Sequence, residues 1–148
     1  MKIQVKKTDE HRYHVVLDSH GTDMSLEDME RLHHMLTDIL RPETAHEKRT
    51  RHQAFLSSLR TADDTGIQTL LRAASHDDIL VLLHSSEEDQ DLQNRLYGNM
   101  TENSLKMYLE DLLFQFREGV PDYRFDEAMT RLIKTAESLV KDGKLRFS

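Results

Sequence analysis

The chain has 148 residues, no cysteine, no tryptophan and a net charge of −7, a length that suits one domain or a domain with a small appendage and that folds without disulfide or metal. Absent cysteine fits a reducing compartment, no apolar run nears the ~20 residues that span a bilayer, and residues 1–5 lack the apolar core of a secretion signal, so a cytoplasmic, non-membrane protein is expected. The whole acidic excess lies in residues 61–148, which argues against nucleic acid and suits steering toward a cationic protein patch.

In chain order, Ile3 and Val5, then Tyr13, Val15 and Leu17, alternate with polar neighbours and predict a two-stranded hairpin closed at Asp18-Ser19-His20-Gly21. Two strands alone are marginal in water, so the hairpin must pack on something. Ser25 caps a first helix with Asp28 as its capping-box partner. Leu32, Met35, Leu36, Ile39 and Leu40 form its apolar stripe, and Arg41-Pro42 stops it. Met24, Met29 and Met35 read as core. Residues 43–60 predict an exposed connector helix that gains an apolar face only at Phe55, Leu56 and Leu59.

Short helices then follow quickly. Asp63-Asp64 opens one, with Ile67, Leu70 and Leu71 inward. Ser75 caps the next, filled by Ile79, Leu80, Leu82 and Leu83. Ser86 is expected to cap a third, ended by Gly98 in a left-handed conformation. Thr101 caps a longer helix with Leu105, Tyr108, Leu109, Leu112 and Phe116 on one side. Gly119-Val120-Pro121 breaks the chain. A last helix, from Phe125 to Val140, is marked by an apolar stripe and by i,i+4 pairs of Glu127 with Arg131 and Glu137 with Lys141. The domains expected are residues 1–42 (hairpin plus helix), 43–60 (connector) and 61–148 (a solenoid-like helical stack).

Chemistry-bearing patterns are few. The nine histidines all fall before residue 85. His11 and His14, like adjacent His33 and His34, diverge, and no HExxH motif occurs, so they read as surface residues rather than metal ligands. The basic cluster Lys48-Arg49-Thr50-Arg51 is offset by Glu43 and Glu47. No phosphate loop or catalytic triad context is present.

The order Asp63-Asp64, Ile67-Gln68, Leu70-Leu71, then Asn99-Met100-Thr101, Glu110-Asp111-Leu112 and closing Gly143 resembles the FliG C-terminal domain of the flagellar motor switch, over about the last ninety residues. That resemblance implies a mainly α, armadillo-like helical array, preceded here by the short β-hairpin and helix, with no catalysis and no cofactor. It also implies a charged ridge facing a stator cytoplasmic loop, to which Glu110 and Asp111 supply the acidic pair. The family's basic ridge positions fall at His84, at Asn103 and near Pro121, where Arg124 is the nearest guanidinium. Its Met-Phe-x-Phe hinge reads Gln53-Ala54-Phe55-Leu56, and its middle and N-terminal domains have no counterpart. The expected role is therefore a non-enzymatic protein-interaction module, peripheral to the flagellar basal body. An adaptor or regulatory protein with a different, non-motor partner, recognised by the N-terminal hairpin, is the alternative.

Overall fold

A computed structural model describes residues 1–148. Two compact units make up the chain, residues 1–46 and 47–148. The first opens with an antiparallel sheet in the order β1 (Ile3–Asp9), β2 (Arg12–Leu17), β3 (His20–Ser25). Val5 faces Val15 and Ile3 faces Leu17 across β1 and β2, so the alternation in the sequence does mark one apolar face.

A third strand joins the expected pair. The turn at Asp18-Ser19 does not end the sheet but reverses the chain into His20-Gly21-Thr22-Asp23, whose polar side chains conceal a strand that pairs along all of β2. Asp18 takes the positive φ of 55° that the tight turn needs, a conformation Asp tolerates. It is held by Lys2, whose N–H donates to Asp18 Oδ1 at 2.8 Å.

Helix α1 (Leu26–Leu40) starts as its sequence demands. Ser25 Oγ accepts from the Asp28 N–H, the Asp28 carboxylate accepts from the Ser25 N–H, and the helix stops at Arg41. Its stripe, however, is not buried. Leu32, Met35, Leu36, Ile39 and Leu40 are all exposed, the last two at 73% and 74%, and the methionines read as core are not core either. Helix α2 (Pro42–Leu59) runs from the first unit into the second.

The second unit carries the large core. It contains α3 (Asp64–Ala73), α4 (His76–Ser85), α5 (Gln90–Gly98), α6 (Glu102–Gln115) and α7 (Asp122–Lys141). Helix α4 lies at the centre, packed against α6 and α7, with α3 also on α7. Ile79, Leu80, Val81, Leu82 and Leu83 are all buried, the mark of a helix that is apolar all round because it is enclosed all round. Each such side chain contributes roughly 1.5–3 kcal/mol by leaving water. Phe55 and Leu59 of α2, Ile67 and Leu70 of α3, Leu92 and Leu96 of α5, Leu112 of α6 and Met129, Leu132 and Ile133 of α7 belong to the same cluster.

Local signals fixed most helix starts. Asp63, Ser75 and Thr101 accept from the N–H groups of Gly66, Asp78 and Ser104. Two expectations fail. Ser86 closes α4 instead of opening α5, its N–H reaching the Leu82 and Leu83 carbonyls, and Asp89 is the cap that accepts from the Leu92 N–H. Gly98 stays helical, and Asn99 ends α5 by donating from Nδ2 to the Arg95 carbonyl at 2.8 Å. The left-handed glycines are Gly119 (φ 94°), before α7, and Gly143 (φ 71°), after it. Arg131 is exposed on α7 yet forks onto buried Asp78 of α4, at 2.9 and 2.8 Å. That fork raises the Arg131 pKa. Past Gly143 the chain returns to α3: Phe147 bridges Ala62, and Arg146 donates its N–H to Asp63 Oδ1 at 2.8 Å. The Arg146 and Gly66 N–H groups together hold the Asp63 pKa below the ordinary carboxylate value.

Candidate partner-binding site

Helix α6 presents opposite faces of different character. Leu105, Tyr108, Leu109 and Leu112 recur at i, i+3, i+4 and i+7 and turn toward the core, where Leu112 is buried. On the outer side Asn103, Met107, Glu110 and Phe114 fall at i, i+4, i+7 and i+11 and all four are exposed, Phe114 at 82%. Exposed Lys106 stands one turn before Glu110 on this side. A carboxylate, an ammonium and two large apolar side chains therefore share one outward surface on a helix anchored by its other face.

Asp111 lies about 100° around the helix from Glu110 and is only partly exposed. It is tied to α4: His76 Nε2 sits 2.8 Å from Asp111 Oδ2, and the His76 ring lies tilted against Tyr108, with centroids 5.0 Å apart. The two adjacent carboxylates thus differ. Glu110 reaches outward, whereas Asp111 is positioned by an imidazole that neutralises it when protonated.

The remaining ridge positions are spread over three helices. Asn103 shares the α6 face with Glu110. Arg124, in the first turn of α7, places its guanidinium 4.9 Å from the centre of the Phe116 ring, a cation–π contact at the C-terminal end of α6. His84, in the last turn of α4, lines a separate cleft of about 510 Å³ together with residues of α2 and α7. Sequence reasoning missed Lys106, Met107 and Phe114. Their signal was present as i+4 and i+7 relations to Glu110 and Met107, but the stronger inward stripe of the same helix drew attention away from them. It also missed His76, whose role depends on α4 and α6 packing together.

The model of the FliG C-terminal domain matches residues 38–147. The chain belongs to the FliG C-terminal domain family. The match begins far upstream of residue 67 and takes in all of α2, so Gln53-Ala54-Phe55-Leu56 lies within the family's span, while β1–β3 and most of α1 lie outside it. No curated protein matches the chain. As a FliG C-terminal-type domain it has the family's mainly helical fold, and the family is one of protein-interaction domains of the flagellar motor switch. No helix is long and apolar enough to cross a membrane.

Proposed function

We propose that this protein acts in the cytoplasm, at the periphery of the flagellar basal body, as a docking module whose α6 face receives the cytoplasmic loop of a stator protein. The observation that carries this reading is the outward surface of Asn103, Met107, Glu110 and Phe114, in which a carboxylate lies between two exposed apolar side chains. Glu110 supplies the primary charge and Asp111 its His76-held neighbour. Lys106 restores beside them a fixed positive charge of the kind that His84 and Asn103 lack, and Arg124 supplies a second one on α7. The apolar pair gives the contact area and the charges give register and encounter rate.

Calorimetric titration of a stator-loop peptide tests it. The double substitution Glu110→Lys with Asp111→Lys is expected to weaken binding at least tenfold, and unchanged binding refutes the reading.

A second reading, an adaptor with a different, non-motor partner, is favoured by the first unit. Its sheet lies outside the family match, and the exposed stripe of α1 is an apolar surface of the kind that marks interaction sites. On that reading, deletion of residues 1–40 abolishes capture of the partner. Full retention by residues 41–148 eliminates it.

A further inference from the structure

The cleft beside His84 differs in character from the α6 face. Leu56 of α2, Val120 of the turn before α7 and Phe125 of α7 give it an apolar floor. Three carboxylates, Glu87, Glu88 and Asp122, line it against one fixed cation, Arg49. Its volume, about 510 Å³, falls within the range of cavities that enclose a ligand or the side chains of a peptide.

The α2 wall holds His52, 0% exposed. Its ring meets Phe125 edge-on, with centroids 5.7 Å apart and planes at 76°. Nδ1 lies in an ion-pair contact 3.3 Å from Asp126 Oδ1, and neither ring nitrogen has a hydrogen-bond partner. A buried polar atom left unmet is rare, and here it belongs to a side chain lining the cleft. Burial holds the His52 pKa below the ordinary histidine value. Arg51 and Lys48 push the same way, and Asp126 only partly opposes them. With the ring neutral, one of its two nitrogens is left as an acceptor. The cleft is thus dominated by acceptors and matches a donor-rich cation.

We propose that this cleft is a second docking site, for an arginine flanked by apolar residues in an extended segment of a partner protein. The guanidinium donates to the carboxylates of Glu87, Glu88 and Asp122. The flanking residues cover Leu56, Val120 and Phe125. Arginine suits the site because its planar fork carries five donors and meets several separated acceptors at once. The acidic excess of residues 61–148 steers such a segment inward. The site does not depend on the α6 face, since none of these residues lies on that helix.

The probe is the blocked peptide acetyl-Leu-Arg-Leu-Arg-Leu-amide, titrated into the ¹⁵N-labelled full chain beside the same peptide with both arginines replaced by glutamine. The arginine peptide alone should shift the His52 ring resonances and the amides of residues 53–56, 87–88 and 120–125. Glu87→Gln with Glu88→Gln, both exposed and outside the core, should weaken that binding at least fivefold. Equal binding of the two peptides, or an unaffected double variant, overturns the proposal. Shifts confined to residues 103–114 overturn it too, while leaving the α6 reading intact. Loss of stator-loop binding in the Glu110→Lys, Asp111→Lys variant leaves the cleft untouched.

Discussion

His52 contributes to the protein's response to acid. Its folded pKa is lowered, chiefly by burial, so the unfolded chain binds the proton first as pH falls through the ordinary histidine range near 6.5. The stability it contributes is complete above that range and is lost as pH drops toward the depressed folded value, with a slope approaching about 1.4 kcal/mol per pH unit. Urea unfolding at intervals between pH 7.5 and 5.0 should show this decline, and His52→Leu should flatten it. An equal slope in both proteins removes His52 as the cause. Nothing in the polar run from Ala45 to His52 announces this role. The residue is buried because Phe125 and Asp126 of α7 pack against its ring, a contact between residues more than seventy positions apart that no local pattern records. Glu110 was picked out by the family resemblance, and its exposure follows from the periodicity of one helix alone. Asp111 looked equivalent until its bond to His76 distinguished it.

At the scale of elements, two helical glycines respond to the same change with opposite sign. Alanine at either position gains helix propensity, up to roughly 1 kcal/mol. A Cβ on Gly66 would collide with the Asp63 carboxylate and the Leu145 side chain and would stand 3.0 Å from the Leu145 Cα, which is backbone and cannot swing aside. Overpacking of about 1–3 kcal/mol therefore prevails, and Gly66→Ala should lower the urea midpoint. At Gly98 a Cβ meets nothing within 4 Å, so Gly98→Ala should raise the midpoint by the equivalent of about 0.5 kcal/mol. Matching signs contradict the packing described for Gly66. The elements themselves were legible wherever the cause is local. Ser25, Asp63, Ser75 and Thr101 cap helices because a short oxygen-bearing side chain sits three residues before an N–H that needs it. In Ser86-Glu87-Glu88-Asp89 the sequence pointed to Ser86, whereas Asp89 is the residue that caps α5. The choice follows from α4, which claims the Ser86 N–H first. Strand β3 was hidden because its polar residues are strand only by virtue of pairing with β2.

At the scale of the whole molecule, the two units differ in how they are built. Residues 47–148 contain the continuous core from Phe55 to Leu145, whereas Val15 and Ala45 are the buried apolar residues of the first unit. The fragment 41–148 should accordingly unfold in one cooperative transition with a midpoint near that of the full chain's principal transition, as followed by circular dichroism. A broad, non-cooperative melt contradicts a self-sufficient core. This check also protects the deletion experiment, since lost partner capture counts for the adaptor only if the shortened chain is folded. The closing contact of the second unit has a mechanical consequence. The end of α2 leads into Thr61, Ala62 and Asp63, and the same residues receive the final segment: Ala62 pairs with Phe147, Asp63 exchanges bonds with Arg146, and the Thr61 carbonyl accepts from Ser148. A pull entering along α2 reaches this corner before it reaches α3. Part of the load passes through the antiparallel clamp into the segment after α7, so the helical stack is gripped from both ends of its chain rather than peeled from one. Residues 47–148 therefore take up such a load as one body.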